Sequence, residues 1–98
     1  TMFTGASAFN GDISNWDTAA VTNMSNMFNG ASAFNGDISN WDTAAVTDMS
    51  NMFRDATLFN QDLSGWCVTN ITSEPNRIAY NSALTEANKP IWGTCPSD

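Results

Sequence analysis

Three aspartates, Asp12, Asp37 and Asp62, recur at intervals of 25 residues, and Asp17 and Asp42 follow the first two. Carboxylates in such a row can do two kinds of chemistry. Held about 5 Å apart, they match the paired carboxyls of a retaining glycosidase. Grouped with Asn side chains and backbone carbonyls, they make the all-oxygen site that calcium prefers. The hydrolytic reading needs one carboxyl in surroundings unlike its partner's, and near-identical copies do not supply them. Calcium is the better chemistry for these five aspartates, with FNGD and NWDT as the oxygen-rich turns, although no dense EF-hand spacing is present. Against both stands the commoner role of an Asp at a turn, which is to accept a hydrogen bond from its own backbone. Apart from calcium, no cofactor is implied.

Other residue types narrow the choice. Histidine is absent, which removes Ser-His-Asp and Cys-His nucleophilic sites and the usual zinc ligands. Glycines fall singly, so no phosphate-cradling loop exists. The protein is expected not to be an enzyme. Trp16, Trp41 and Trp66 form a row that could stack on a sugar, but their regular spacing suits a core edge at least as well. Asn10, Asn35 and Asn60 fit structural amides that satisfy a turning backbone. If a recognition surface exists, it is the outer face made by Asp12, Ser14 and Asn15, by Asp37, Ser39 and Asn40, and by Asp62 and Ser64.

The charge balance restricts the partners. Ten acidic residues face Arg54, Arg77 and Lys89, for a net charge of −7. Residues 1–53 carry no cation. Nucleic acid is therefore not an expected partner, since phosphate neutralisation requires a basic face. No run is long enough to cross a membrane as a helix, so membrane insertion is not expected. What is left is an unknown protein or glycan on another cell or matrix.

The elements that position these residues follow from an internal repeat. Residues 2–26 and 27–51 are the same at 23 of 25 positions, differing at Thr4/Asn29 and Asn23/Asp48. A third copy, 52–72, keeps Phe53, Phe59, Asn60, Asp62, Leu63, Ser64 and Trp66. A fixed period of this length is the signature of stacked coils. Within one period, Val21, Met24, Phe28 and Ala31 have the spacing of a short helix face, which Asn29-Gly30 would end. DISNW alternates like a very short strand. The expectation is an α/β solenoid: a right-handed superhelix of leucine-rich-repeat type with one short strand and one short helix per coil.

The pattern VTNMSNMFNGASAFNGDISNWDTAA resembles the repeat of BspA-like leucine-rich-repeat bacterial surface proteins, in the Met-Phe/Phe-Asn variant of mycoplasma-type lipoproteins. The likeness covers residues 2–72, and LTEANKPIWGTCP resembles the ending of such arrays. It implies a right-handed solenoid displayed at the cell surface, with adhesion or recognition as its role. A non-enzymatic extracellular binding module is the first expectation. A structural spacer or stalk, rigidified by calcium, is the second, and a glycan-binding lectin the third.

Residues 73–98 are expected to cap the repeat domain of residues 1–72. Ile78 and Tyr80 would lie over the last coil, LTEANKP would form a short helix capped by Thr85, and Cys95 would return to Cys67. An even pair of cysteines in a small polar chain reads as a disulfide and an oxidising, extracellular compartment. At the other end Met2, Phe3 and the first Phe9 and Ile13 positions have no cover. That predicts either a longer natural protein, with its export signal elsewhere, or an end-to-end homodimer through this surface.

Overall fold

The backbone hydrogen bonds of this chain are made by turns. The computed structural model describes residues 3–96, so Met2 and the terminal residues of the expected domains lie outside it. Among the described residues the only helix is one 3-10 turn, Glu86–Asn88, and the only β pairing is an isolated parallel bridge between Asn23 and Asp48. The expected α/β solenoid, with a strand and a helix in each coil, is therefore not formed. The leucine-rich-repeat description falls with it, because the secondary structure that defines such a repeat is missing. The body is compact, with extents of 35 × 25 × 21 Å.

The reason lies in how each segment divides its N–H groups. In the stretch read as a helix, Met27, Asn29 and Ala31 donate three residues back, to Met24, Asn26 and Phe28. The alternate N–H groups, on Asn26, Phe28 and Gly30, instead leave the segment and reach Ser50, Met52 and Arg54. An α-helix needs every N–H for its own i−4 carbonyl, so this division forbids one. Asn26 at φ 60° and Gly30 at φ 80° break the helical path as well. A Cβ at Gly30 would also lie 3.3 Å from the Cα of Gly5. The apolar 3-4-3 spacing is real, but linked turns satisfy it as well as a helix does.

DISNW fails as a strand for a related reason. The Asp12 carboxylate accepts the Ser14 N–H at 3.0 Å, and the Trp16 N–H turns back to the Ile13 carbonyl at 3.1 Å. A side-chain acceptor two residues away outcompetes a ladder partner. Pro90 follows the 3-10 turn as expected, but Thr85 stands at its N-cap without a side-chain cap bond.

What recurs every 25 residues is packing and hydrogen bonding. Phe28 lies between Phe3 and Phe53, with ring centroids 5.4 and 5.6 Å away, and Phe34 lies between Phe9 and Phe59 at 5.6 and 5.7 Å. The planes lie 4–23° from parallel, a stacked aromatic arrangement. Phe28, Phe34, Phe53 and Phe59 are wholly buried, so each should contribute about 3–5 kcal/mol against truncation to Ala.

The backbone register continues beyond the recognisable repeat. Asn51, Phe53 and Asp55 donate to Asn76, Ile78 and Tyr80, one residue later in phase than the 26-to-50 and 28-to-52 bonds. Leu63 then donates to Asn88, and Val68 to Thr94. Ile78, Leu84 and Pro90 are buried against the core, and Cys67 is bridged to Cys95. Tyr80, expected to lie over the core, is 57% exposed.

Candidate functional site

The aspartates of the outer face are built into their own turns. Asp12 Oδ1 accepts both the N–H and the hydroxyl of Ser14, at 3.0 and 2.7 Å. Asp37 does the same with Ser39, and Asp62 with Ser64. Asp48 repeats it with Ser50, and Asn23 with Ser25. Asp17 and Asp42 accept the N–H groups of Ala19 and Ala44. The D-x-S spacing thus closes a side-chain-capped turn, and one carboxylate oxygen is committed to it.

These bonds act on the protonation of the carboxylates. The Ser14 hydroxyl, then the Ser14 N–H, holds Asp12 below the usual carboxylate range, and the Ser64 pair does so for Asp62. Ser39 lowers Asp37 in the same way, while the charge of Asp12 pushes back weakly. For Asp48 the Ser50 N–H leads and its hydroxyl follows. Each shift is downward, whereas a general acid needs a carboxyl held upward.

Asp12, Asp37 and Asp62 are exposed, as are Asn15, Ser39, Asn40 and Ser64, whereas Ser14 is half-buried. Asn10, Asp12, Ser14, Asn35 and Asp37 border a shallow hollow of ≈ 440 Å³. Among the described residues no group of three His, Cys, Asp or Glu is placed to hold a metal ion. The stacked carboxylates expected as calcium ligands are brought into a row but are not gathered into a cluster.

The asparagine positions serve the backbone. Asn10 Oδ1 accepts the Asn35 N–H, Asn35 Oδ1 accepts the Asn60 N–H, and Asn60 Oδ1 accepts the Thr85 N–H. The tryptophans divide. Trp41 and Trp66 are buried and donate their indole N–H groups to Ile13 and Ile38, each at 3.0 Å. Trp16 is 41% exposed and stacks on Trp41 from outside. A sugar-binding row of three indoles is therefore not presented.

A family model described as Mycoplasma protein of unknown function, DUF285, matches residues 1–92. The chain belongs to the DUF285 family. No curated protein and no solved structure is significantly similar to it. The family model spans the repeats and nearly all of residues 73–96, in agreement with the hydrogen bonds that continue across them with a one-residue slip.

Two groupings in this DUF285 chain went unread in the sequence. Arg54 and Arg77 both lie over the Tyr80 ring, each 5.7 Å from its centroid, and supply the π-facing cations of an acidic protein. The only sequence signal was that the chain has just two arginines. Lys89 sits between Glu74 and Glu86, bonded to Glu74 at 2.6 Å. Burial favours the neutral amine, but the two glutamates outweigh it and raise the Lys89 pKa. Among the described residues no helix is long and apolar enough to cross a membrane.

Proposed function

We propose that this DUF285 chain is a non-enzymatic extracellular binding or adhesion module of a bacterial surface protein, akin to the BspA-like family in its Met-Phe/Phe-Asn pattern. One comparison within the molecule carries the reading. Asn23 and Asp48 occupy equivalent places and close the same turn, with N–H bonds of 2.9 Å in both. The turn therefore needs the side-chain oxygen and not the charge. At 12, 37 and 62 the residue is nevertheless Asp, so a row of exposed negative charge faces outward where a neutral amide oxygen could close the turn. Such a row suits a basic protein surface, and its salt dependence would be marked.

The remaining support is indirect. The Cys67–Cys95 disulfide suits an oxidising exterior. The turn bonds hold Asp12, Asp37 and Asp62 alike below the usual carboxylate range, and like carboxylates suit recognition better than an acid–base pair. A spacer or stalk is the second reading, favoured by the commitment of one oxygen of each outer aspartate to its own turn.

The test is an array of immobilised matrix proteins and glycans probed with the oxidised protein and with D12N/D37N/D62N. The triple variant keeps the turn acceptors and removes the charge. Binding to a basic protein that weakens at least about tenfold in the variant supports the module. Binding indifferent to the variant, or none at all, overturns it, and absence of binding leaves the spacer.

A further inference from the structure

Asn10 and Asn35 stand in the same octapeptide, FNGDISNW at 9–16 and at 34–41, so a difference in their chemistry can come only from the fold. An asparagine followed by glycine can react with its own backbone, because a residue without Cβ leaves its amide nitrogen open to the preceding side chain. The chain has three such pairs, Asn10-Gly11, Asn29-Gly30 and Asn35-Gly36. Their hydrogen bonds set them apart. The Gly30 N–H is committed to the Arg54 carbonyl at 2.8 Å, and Asn29 Nδ2 donates to Asn26 Oδ1 at 3.1 Å. Among the described residues, the N–H groups of Gly11 and Gly36 have no acceptor, and neither do the Nδ2 groups of Asn10 and Asn35. Asn10 and Asn35 are both exposed.

The side-chain oxygen then separates Asn10 from Asn35. Asn10 Oδ1 accepts one bond, from the Asn35 N–H at 3.2 Å. Asn35 Oδ1 accepts two, from the Asn60 N–H at 2.9 Å and from Gln61 Nε2 at 3.0 Å. The second donor exists because the third copy carries Gln61 where the second carries Gly36. Gln61 Nε2 also donates to the Asn35 carbonyl at 2.9 Å, which holds it in place. Two donors thus converge on the atom that gains negative charge when a nucleophile adds to Asn35 Cγ, the arrangement of an oxyanion hole. Asn60 Oδ1 also has two donors, the Thr85 N–H and Asn88 Nδ2, but the residue after it is Gln61, whose Cβ crowds the nitrogen. We propose that Asn35-Gly36 is a self-modifying site, at which the fold accelerates succinimide formation and deamidation. The Gly36 nitrogen attacks Asn35 Cγ and forms the C–N bond of a cyclic imide. Its proton passes to Nδ2, which leaves as ammonia. One water then opens the ring, leaving aspartate or isoaspartate at position 35. The product adds a negative charge to the hollow that Asn35 shares with Asn10, Asp12, Ser14 and Asp37. The proposal is independent of what the outer aspartate row binds.

The experiment incubates the oxidised full chain in neutral buffer, folded and in guanidinium, and follows each asparagine by fragmentation of the intact protein in a mass spectrometer. In the folded chain Asn35 converts about tenfold faster than Asn10, the effect of one well-placed donor, and Asn29 is the slowest of the three. Unfolding brings Asn10 and Asn35 to a common rate that lies below that of folded Asn35. Gln61→Ala removes the second donor and slows Asn35 towards Asn10, whose own rate stays unchanged and reports on the fold in the same molecule. Equal rates at Asn10 and Asn35 in the folded protein overturn the proposal. So does a folded Asn35 rate at or below the unfolded one, or an Asn35 rate unmoved by Gln61→Ala. A fall at both positions alike in that variant would assign the effect to general packing and also overturn it.

Discussion

The indole N–H of Trp66 donates to the carbonyl of Ile38, 28 residues earlier, at 3.0 Å. The same bond joins Trp41 to Ile13, so one side chain both fills the core and sets the register between repeats. Trp66→Ala should cost about 3–5 kcal/mol, whereas Trp66→Phe keeps much of the volume and should cost less. Urea unfolding of the two variants measures the difference. Equal and small losses would show that the ring is not a core element.

The capped turns make a distinction that charge alone would not. Asp37→Asn preserves the acceptor for Ser39, and Asp37→Ala removes it. The Asn variant is expected to melt near the parent, with the Ala variant lower. If both melt alike, the turn does not depend on its side-chain oxygen.

Stability should depend on pH with a definite sign. Asp12, Asp37, Asp48 and Asp62 are lowered in the folded state, so their contribution is present above the unfolded carboxylate pKa. It is lost as pH falls through the lowered folded values. Thermal melts from neutral pH downward should show the decline, and the quadruple Asp→Asn variant should flatten it. A parent stability constant down to the lowest pH reached would contradict the account.

Asn60 connects the last recognisable repeat to the segment after it, through the Thr85 N–H and the Asn88 amide. Asn60→Ala should cost about 1 kcal/mol, since the bonds are exposed. Amide exchange should rise first around Thr85 and Asn88. Uniform destabilisation would argue against this local connection.

Reduction of Cys67–Cys95 should lower stability by about 2–5 kcal/mol. Guanidinium melts with and without reductant test this, and coincident curves would remove the bridge from the account.

Part of this arrangement was legible in the sequence. Matching Phe3, Phe28 and Phe53, and Phe9, Phe34 and Phe59, predicts which rings stack, because identity at a fixed period is a translational instruction. Hydrophobic spacing did not predict the backbone. It reports which side chains are buried, and Val21, Met24, Phe28 and Ala31 are placed alike by a helix or by linked turns. The decisive information was chemical: Asp12 two residues before Ser14 competes with a strand, and Asn26 and Gly30 admit positive φ. The continuation past Pro75 was hidden because the segment shares bonds and not residues with the earlier copies. Ile78 and Leu84 keep the burial, while the register slips by one residue.

The central claim is that the 25-residue period acts as a hydrogen-bond register between turns. The most direct measurement is a trans-hydrogen-bond scalar coupling experiment on labelled protein. The account predicts couplings from the N–H of Phe28 to the carbonyl of Met52, and from Asn26 to Ser50, alongside chemical shifts free of helix. Couplings from Phe28 to Met24, four residues back, with helical shifts over Met24–Ala31, would contradict it.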